Sequence, residues 1–433
     1  MRPATPAEAL AFFSRLSPSS IKLGLERVEA ALAALGHPER RFPALHVAGT
    51  NGKGSTCAFA SAALHAGGYR VGLYTSPHLV RVTERIRVDG VELSEEVLGQ
   101  RILEVLERHP EAATSLTYFE FGTVVAFWHF AQVAVDVAVV EVGLGGRLDA
   151  TRACEARVTA ITPVSFDHME YLGTTLGAIA GEKAGILKPG VPAVVSRQEP
   201  EALAALERRA GEVGAPVLLE GRDFSLAPRP DARLAYAGPG GVLEELTLGL
   251  RGEHQRQNAA VALACLGLLG ERGFPTSAQA RRQGLAGARW PGRLEELGGQ
   301  PPVLLDGAHN PAGVQVLLAG LRALYPGRRV HCVFGVVADK DRGPMLRALL
   351  PACASVHLTP LDTPRSLPPE RYLDEARALC AEVSAYPSLN AALAGARVRA
   401  APGDVLLCTG SLFLVGSVRA RWSGNLGALH HSS

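Results

Sequence analysis

The chain has 433 residues, of which 47% are apolar and 20% are charged, and its formal net charge is +2 at pH 7. This length predicts two or three domains and a large hydrophobic core. The mixed charges argue against nucleic-acid and membrane partners, and no apolar run of 18 residues or charged leader is present, so we expect a soluble, cytoplasmic protein. The seven cysteines are scattered singly, which argues against a disulfide framework or a zinc site.

The N-terminal segment predicts two helices, because apolar residues recur at helical spacing from Leu10 to Leu16 and from Leu25 to Leu35. The run PALHVAG then predicts a short buried strand. The small-residue stretch STCAFASAALHA predicts a helix that ends at Gly67, and YRVGLYTS predicts the next strand. A strand, a loop, a helix and a strand in this order are typical of a parallel α/β sheet.

The middle of the chain continues this pattern. Asp89 and Gly90 between alternating apolar residues predict a hairpin. Two runs rich in β-branched residues, 135–143 and 156–164, predict buried central strands. Short strand-like pieces and a Pro/Gly-rich patch between about 190 and 250 predict a small accessory sheet.

The last third of the chain predicts a second domain. The segment WPGRLEELGGQPP, residues 290–302, is typical of a linker, and strands and helices alternate again after it. We therefore expect an α/β protein with two domains, residues 1–292 and residues 293–433.

The segment HVAGTNGKGST, residues 46–56, carries the first functional signal. Its glycines permit positive φ and close backbone approach, the following helix N-terminus favours an anion, and Lys53 supplies a point charge. The loop therefore predicts a phosphate cradle, although only two residues separate Gly49 from the Gly-Lys pair, where the common phosphate-binding loop has four. A plain glycine turn is the alternative.

Lysine is rare in this chain, which has five lysines against 39 arginines. Where arginine supplies most of the positive charge, lysine is expected where a guanidinium cannot substitute: on a phosphate, or where an amine must lose its proton. Genome base composition is the other explanation. Lys183 is a candidate, because it lies in a predicted helix among small residues; a solvated helix position is the alternative.

Other candidate residues follow strand ends or lie near the predicted linker. Glu141 ends a buried strand, where doubly wound sheets bind ligands and a carboxylate can bind Mg²⁺; a structural carboxylate is the alternative. His168 also follows a strand, although a core histidine is an equally simple interpretation. Arg293 could clamp a polyphosphate or form a salt bridge. Asp306 could hold ribose hydroxyls.

Together these motifs resemble the folylpolyglutamate synthase/dihydrofolate synthase family of the Mur ligase superfamily. They occur in the family's order over nearly the whole chain: LGLERV (23–28), HVAGTNGKGST (46–56), TSPHL (75–79), TYFE (117–120), EVGLGGRLDAT (141–151), DHMEYLGTT (167–175), IAGEKAGILK (179–188), GRLE (292–295), DGAHNP (306–311), FGVVADKD (334–341) and TGSLF (409–413). The GTNGKGS spacing, with Gly54 after the lysine, is typical of this family, whereas cell-wall amino-acid ligases usually have threonine there.

The resemblance implies an ATP-dependent acid–amino-acid ligase that uses Mg²⁺ and adds L-glutamate to tetrahydrofolates through an acyl phosphate. The LGLERV and TYFE segments favour a second activity, the joining of glutamate to dihydropteroate. The resemblance also implies a monomer. Residues 1–292 would form an ATP- and folate-binding P-loop domain with a parallel sheet and a small accessory sheet, and residues 293–433 a Rossmann-like ligase domain.

The resemblance assigns roles residue by residue. The catalytic residues are Lys53, His168 and Lys183, of which Lys183 matches a carbamylated lysine. The nucleotide-binding residues are Gly49, Thr50, Asn51, Gly52, Lys53, Gly54, Ser55, Asn258, Arg293, Asp306 and His309. The substrate-binding residues are Leu23, Gly24, Leu25, Pro77, His78, Thr117, Tyr118, Phe119, Glu120, Leu148, Asp149 and Ala150. The Mg²⁺ ligands are Ser76, Glu141 and His168.

Three alternatives remain. A folylpolyglutamate synthase without dihydrofolate synthase activity would carry the same motifs. A cell-wall Mur ligase is disfavoured by TSPHL and by the GKGS loop. A GTPase-like switch needs an N-K-x-D run after a strand, and the nearest run, ADKD at 338–341, is far from the loop in sequence.

Overall fold

The computed structural model of this chain describes residues 3–16, 22, 24–229 and 233–429, the last seven of them by their backbone alone. Leu23, one of the expected substrate contacts, lies outside the described residues. The chain divides into two compact units: the first comprises Met1–His78, Val82–Gly249 and Gln255–Arg289, and the second comprises Leu79–Arg81, Leu250–His254 and Trp290–Ser433. The functional division at residue 292 stays a prediction.

The first unit is a mixed α/β structure. Its elements in chain order are α1 (Pro6–Arg15), α2 (Glu26–Ala34), β1 (Pro43–Ala48), α3 (Lys53–Ala66), β2 (Val71–Tyr74), β3 (Ile86–Val88), β4 (Val91–Glu92), α4 (Glu95–Arg108), α5 (Ala112–Ser115), α6 (Tyr118–Gln132), β5 (Val137–Glu141), β6 (Glu155–Ile161), α7 (Met169–Leu172), α8 (Leu176–Lys183), β7 (Ala193–Val195), α9 (Pro200–Val213), β8 (Val217–Leu219), β9 (Ser225–Pro228), β10 (Leu234–Gly238), β11 (Gly241–Leu246), α10 (His254–Gly270) and α11 (Ala278–Gly287).

Eight of these strands form one sheet in the order β4-β3-β2-β5-β1-β6-β7-β8. All neighbours pair in parallel except those of β3 and β4. The two runs expected as buried strands are confirmed as β5 and β6, on either side of β1. Because parallel strands end at one edge of a sheet, Ala48, Glu141 and Ile161 lie at the same edge, where the candidate site is built.

Two buried cores pack helices against this sheet. One core packs α1, α2, α4 and α6 against β1, β2 and β5, with Phe121, Phe127 and Phe130 of α6 fully buried. Another packs α8 and α9 against β6 and β7. The predicted hairpin is confirmed: β3 and β4 pair antiparallel, and Asp89 and Gly90 have φ angles of 54° and 80°, as a tight hairpin turn requires.

The accessory sheet expected between about 190 and 250 is smaller than predicted. Residues 193–219 instead extend the main sheet, because β7 pairs with β6, β8 pairs with β7, and α9 joins them. Only β9, β10 and β11 form a separate antiparallel sheet. Strands of three residues show no measurable periodicity, so only the pairing of β7 with β6 and of β8 with β7 reveals them.

The second unit is also α/β. Its elements are β12 (Glu295–Glu296), β13 (Val303–Leu305), α12 (Pro311–Leu324), β14 (Val330–Phe334), α13 (Arg342–Leu349), β15 (Ser355–Leu358), α14 (Leu373–Arg377), β16 (Val383–Ala385), α15 (Leu389–Arg399), β17 (Val405–Thr409) and α16 (Leu412–Leu429). The sheet order is β12-β13-β17-β14-β15-β16, parallel except at β12. The expected Rossmann-like α/β architecture is confirmed, although β12 lies within the segment expected to be a linker.

Among the described residues, none of the helices combines the length and the apolar character that crossing a bilayer requires.

Candidate active site

The glycine-rich loop joins the end of β1 to the start of α3, and two of its glycines cannot be replaced without strain. Gly49 has a φ of 142°, and a Cβ atom there would lie 1.9 Å from the Thr162 Oγ1. Gly52 has a φ of 89°, and its Cβ would lie 2.2 Å from the Asn258 Oδ1. Gly52 is the N-cap residue of α3 and has no side chain to accept a hydrogen bond from the first turn. The N–H groups of that turn can therefore face an anion.

The loop is held by the segment that follows β6. The N–H groups of Thr50 and Asn51 donate to the Pro163 carbonyl at 3.0 and 3.2 Å. The Thr50 hydroxyl donates to the Ser165 carbonyl and accepts from the Ser165 N–H, both at 3.1 Å. These hydrogen bonds within the chain hold the loop in place, which lowers the ordering cost of binding a ligand.

Helix α10 supports the loop from another direction. Asn258 lies against Gly52, and its Nδ2 donates to the Gln255 Oε1 at 2.9 Å. Gln255 in turn donates to the Ser55 hydroxyl at 3.3 Å. The structure therefore brings Asn258 to the phosphate-binding loop, about 200 residues away in sequence, as a nucleotide contact would require.

Two lysines converge on this loop. Lys53 donates to the carbonyls of Gly49 and Thr50, both at 3.2 Å, and Lys183 donates to the Gly49 carbonyl at 2.8 Å. Lys183 is only 5% exposed, so it is not the solvated helix residue of the alternative interpretation. Burial and the charge of Lys53 lower the pKa of Lys183 to about 7, against the opposing effect of Asp167 and Asp149. A large fraction of this amine is therefore neutral at physiological pH.

The position of Lys183 depends on close contact between two glycine-containing loops. A Cβ on Gly185 would lie 2.3 Å from the Arg147 Cα, and a Cβ on Gly146 would lie 2.8 Å from the Lys183 carbonyl oxygen. The Arg147 N–H donates to the Glu182 carbonyl at 2.9 Å. The absence of side chains at both glycines thus lets the end of α8 approach the loop after β5.

Glu141 ends β5 and is 4% exposed, and its Oε2 accepts from the Ser76 N–H at 3.2 Å. His168, by contrast, is half-exposed in a left-handed conformation before α7, which excludes the interpretation as a core histidine. Within the part of the chain that the structure describes, no three His, Cys, Asp or Glu side chains converge as a ready-made metal site. Mg²⁺ is usually bound by one or two carboxylates together with hydroxyl, water or phosphate oxygens, and Glu141 beside Ser76 offers donors of this kind.

The LGLERV and TYFE motifs meet at an ion pair. Arg27 Nη2 is 2.6 Å from the Glu120 Oε1, although 93 residues separate them. Glu120 also closes a capping box at the start of α6: its Oε2 accepts from the Thr117 N–H at 2.7 Å, and its own N–H donates to the Thr117 Oγ1 at 3.3 Å. Gly24 and Leu25 immediately precede α2, and Gly24 has a φ of 128°.

Tyr118 and His78 are linked by a residue that the motif analysis did not assign. Arg85 donates from its Nε to the His78 Nδ1 at 2.9 Å, and its guanidinium lies 5.1 Å from the centre of the Tyr118 ring. Tyr118 stacks on Phe13 with a centroid distance of 4.5 Å. Burial and Arg85 lower the pKa of His78 to about 4, with Glu84 opposing, so His78 is neutral at physiological pH. Pro77 immediately precedes this histidine.

The loop after β5 forms the other part of the expected acceptor site. The Phe119 ring packs against Gly143, because a Cβ atom added at Gly143 would lie 2.4 Å from that ring. Asp149 is buried and accepts from the N–H groups of Gly143 at 3.1 Å and Leu144 at 2.9 Å. Leu148 is half-buried and Ala150 is buried. The structure therefore brings the TYFE helix into contact with the loop that carries Asp149.

The expected nucleotide residues of the second unit form a group of their own after β13. Asp306 is buried, and its two oxygens accept from the N–H groups of Leu294 and Ala308, each at 2.9 Å. The Arg293 side chain packs against Gly307, because a Cβ atom added at Gly307 would lie 2.3 Å from the Arg293 Nη1. The His309 Nδ1 donates to the Gly307 carbonyl at 2.7 Å. Burial raises the pKa of Asp306, and Arg293 opposes that effect.

Comparisons with known proteins agree with this architecture. Residues 47–266 match the Mur ligase middle domain, and residues 292–412 match the Mur ligase glutamate ligase domain. A Bacillus subtilis protein named dihydrofolate synthase/folylpolyglutamate synthase is 35% identical over 422 residues, 93% of this chain and 95% of the relative.

Two solved structures share the fold. E. coli FolC in complex with DHPP and ADP is 37% identical, with a TM-score of 0.89 over 98% of both chains. The Yersinia pestis bifunctional folylpolyglutamate synthase/dihydrofolate synthase, complexed with AMPPNP and Mn ion, is 34% identical, with a TM-score of 0.86 over 97% of this chain and 99% of that one.

The matches to both Mur ligase domains, together with the glycine-rich loop at the edge of a parallel sheet and the second α/β unit, define an ATP-dependent ligase of the Mur type. Within that superfamily, the chain belongs to the dihydrofolate synthase/folylpolyglutamate synthase family.

Proposed function

We propose that this protein joins L-glutamate to tetrahydrofolates in an ATP-dependent reaction, and that the same site joins glutamate to dihydropteroate. The observation that carries the proposal is the convergence of Lys53 and Lys183 on the Gly49 carbonyl at the mouth of a preformed phosphate-binding loop. A carboxylate acylates an amine only after its oxygen becomes a good leaving group. The acceptor carboxylate oxygen therefore first takes the γ-phosphoryl group of ATP, which releases ADP and forms an acyl phosphate. The glutamate amino group then attacks the acyl carbon and displaces inorganic phosphate, which forms the amide bond.

The loop residues 49–55 and Asn258 are proposed to hold the nucleotide phosphates, and Arg293, Asp306 and His309 are proposed as further nucleotide contacts. Supporting this role are the positive φ of Gly49 and Gly52, the uncapped start of α3 and the contact of Asn258 with the loop. Lys53 supplies the point charge that offsets negative charge as the phosphoryl group moves.

Ser76, Glu141 and His168 are proposed to hold Mg²⁺, which would supply positive charge to the phosphate oxygens when bound. The pairing of the Ser76 backbone with the buried Glu141 carboxylate supports two of the three. His168 joins the set on the strength of the motif and of its exposed position beside the Asp167 carboxylate.

Lys183 is proposed to be carbamylated. Its environment supports the reaction, because only a neutral amine attacks carbon dioxide, and burial and Lys53 lower the pKa of Lys183 to about 7. Addition forms one N–C bond and releases one proton. The product is an anion beside the Lys53 ammonium, so the modification replaces a repulsion between two cations with an attraction.

The acceptor is proposed to contact Gly24, Leu25, Pro77, His78, residues 117–120 and residues 148–150, together with Leu23. Support comes from the Arg27–Glu120 ion pair and from the contact between Phe119 and Gly143, which join three of these segments. The LGLERV and TYFE segments are the reason for proposing the dihydropteroate activity as well.

The test is ADP release by the purified protein with ATP, Mg²⁺ and L-glutamate, comparing a tetrahydrofolate with dihydropteroate as acceptor. Turnover with both supports the proposal. Turnover with the tetrahydrofolate alone indicates a monofunctional folylpolyglutamate synthase. ADP release that needs neither acceptor nor glutamate contradicts the proposal, and turnover only with a cell-wall precursor points to a Mur-type amino-acid ligase.

We further propose that the enzyme acts as a cytoplasmic monomer on small-molecule substrates. Light scattering of the purified protein tests the oligomeric state, and fractionation of the source cells tests the compartment.

A further inference from the structure

The buried side chains of His46, Thr151 and Asp149 form a series of hydrogen bonds in the first unit, and the proposed reaction gives no role to His46 or Thr151. His46 lies in β1, three residues before Gly49, and its Nε2 is 2.9 Å from the Thr151 Oγ1. The Thr151 hydroxyl donates a short hydrogen bond to the Asp149 Oδ1. This series of hydrogen bonds thus connects the strand that leads into the phosphate-binding loop with the loop at residues 148–150.

Counting protons shows which group donates and which accepts in each of these hydrogen bonds. Asp149 accepts four hydrogen bonds, from the N–H groups of Gly143, Leu144 and Thr151 and from the Thr151 hydroxyl. Burial raises the pKa of Asp149, and these four bonds oppose that shift by stabilising the ionised carboxylate. The Thr151 hydroxyl has one proton, and Asp149 receives it. Thr151 must therefore accept from His46, so the histidine carries its proton on Nε2.

The other nitrogen of His46 has no hydrogen-bond partner although it is buried. Burial lowers the pKa of His46 to about 3, together with the positive charges of Lys188 and Arg152. Both of these cations are held in place: Lys188 donates to the Cys154 carbonyl at 2.5 Å and Arg152 to the Gly185 carbonyl at 3.0 Å. A proton on Nδ1 would meet two cations and no acceptor, so His46 acts only as a donor through Nε2.

We propose that His46 is a positioning residue for the acceptor: through Thr151 it fixes the Asp149 loop relative to the strand that carries the phosphate-binding loop. This inference rests on the proposed function, in which that loop contacts the folate. Phosphoryl transfer needs the attacking carboxylate oxygen about 3–3.5 Å from the γ-phosphorus. A small shift of the loop that holds the acceptor therefore weakens productive binding of the acceptor, which raises its KM. An unpaired nitrogen in the core costs stability, and a functional constraint explains its retention.

The first test separates positioning from simple structural support. Thr151→Val and His46→Leu remove the hydrogen bond between β1 and the loop, whereas Thr151→Ser and His46→Gln keep a donor and an acceptor. We expect the first pair to raise the KM for the tetrahydrofolate about tenfold, a change of about 1.4 kcal/mol. The KM for ATP should stay within about twofold. Thr151→Ser and His46→Gln should keep the KM for the tetrahydrofolate close to the wild-type value.

Thr159→Val is the matched control, because Thr159 is a buried threonine of the neighbouring strand β6 whose hydroxyl donates to the Pro192 carbonyl at 3.3 Å. It removes a comparable hydrogen bond without touching the Asp149 loop. An equal rise of the acceptor KM in Thr159→Val and Thr151→Val would overturn the inference, and so would a parallel rise of the KM values for ATP and for the tetrahydrofolate.

The second test concerns the chain of hydrogen bonds alone. Nitrogen-15 NMR of histidine-labelled protein should show His46 with its proton on Nε2 and without titration between about pH 5 and 8. A proton on Nδ1 contradicts the inference. If the wild-type protein fails to consume ATP with any folate, the proposed function fails. The NMR result and the coupling free energy between His46→Leu and Thr151→Val in urea unfolding then still decide whether the chain exists.

Discussion

Lys53 and Lys183 donate hydrogen bonds to one acceptor, the Gly49 carbonyl oxygen, at 3.2 and 2.8 Å. They are two of five lysines in a chain with 39 arginines. Two ammonium groups on one carbonyl repel each other, and the buried one gives up its proton more easily. The phosphate-binding loop and the charge state of Lys183 are therefore coupled, which an arginine at either position could not reproduce.

Removing Lys183 should stabilise the fold while it abolishes activity. The pKa of Lys183 is lowered from 10.5 to about 7 by burial and by Lys53, so between these values the unfolded chain holds more protons than the folded one. The free-energy cost of burying the Lys183 ammonium is therefore largest below pH 7 and falls as the pH rises towards 10.5. We expect Lys183→Met to raise the free energy of unfolding by on the order of 2 kcal/mol at low pH, and by less above pH 9.

Urea unfolding in buffer free of carbon dioxide, at several pH values, measures this difference. Lys22→Met, at an exposed lysine, is the control and should change little. Lys183→Arg should be as inactive as Lys183→Met, because a guanidinium does not form a carbamate. If Lys183→Met is less stable than the wild type at every pH, the buried Lys183 ammonium does not destabilise the fold, and the prediction is wrong.

Adding a methyl group to the glycine-rich loop should weaken nucleotide binding. In Gly52→Ala the new Cβ would lie 2.2 Å from the Asn258 Oδ1, at a φ of 89°. Gly68→Ala is a matched control, because Gly68 ends the same helix with a φ of 90° and its Cβ would meet nothing within 4 Å. Titration calorimetry with ADP should show at least about a tenfold weaker affinity for Gly52→Ala, corresponding to the 1–3 kcal/mol cost of local strain. Equal affinities in the two variants would mean that the loop tolerates the methyl group.

Breaking the ion pair between Arg27 and Glu120 should damage the acceptor site more than the nucleotide site. Glu120 is buried and also caps α6. Arg27→Met leaves this buried carboxylate without its charged partner, at about 1–3 kcal/mol, and Glu120→Gln removes the charge of the pair and weakens the cap. We expect both to raise the KM for the acceptor about tenfold and to leave the KM for ATP nearly unchanged. Arg15→Met, at an exposed arginine of α1, is the control for loss of charge. A double-mutant cycle with coupling near zero would show that the two motifs act independently.

Stability should fall steeply on mild acidification, because several histidines are buried in the neutral form. Burial is the largest cause that lowers the pKa of His46 to about 3 and of His78, His129, His254 and His357 to about 4. Each adds stability that is complete above pH 6.5, its ordinary pKa, and is lost as the pH falls through its folded value. The slope per histidine is about 1.4 kcal/mol per pH unit.

One of these histidines offers a direct test. In the second unit, His331 and His357 each lie 2.8 Å from the Ser355 hydroxyl, and the His331 Nε2 is 3.0 Å from the Asp404 carboxylate. Replacing His357 with Gln should reduce the loss of unfolding free energy between pH 6.5 and 5, measured by urea titration. His65→Gln, at an exposed histidine, should leave the slope unchanged. Identical slopes in all three proteins would show that His357 does not contribute.

Much of the site could be predicted from sequence because its parts are local. A glycine-rich loop between an apolar strand and a helix needs only neighbouring residues to be recognised. Glu141 could be placed because the ends of parallel strands share one edge of a sheet. The roles of the remaining candidate residues were assigned by motif resemblance rather than by geometry, and they stay proposals.

The contacts that complete the site were not readable from local patterns. Arg85 was missed because its partners, a neutral histidine and an aromatic face, lack the opposite charge that makes an arginine conspicuous. Arg27 lay within a recognised motif, yet nothing in its neighbourhood indicated a partner 93 residues away. His46 looked like a strand residue, and only the packing of the Asp149 loop shows what it binds.

The sequence by itself determined the parallel α/β class, the order of most strands and helices, the position of the phosphate-binding loop and the family resemblance, because periodicity, turn chemistry and motif spacing act over a few residues. Only the tertiary structure decided that Lys183 is buried beside Lys53, that β7 and β8 extend the main sheet, and that His46 and Thr151 are joined. These features depend on which distant surfaces pack together. Packing is set by the summed burial of the whole core, and no short segment encodes that sum.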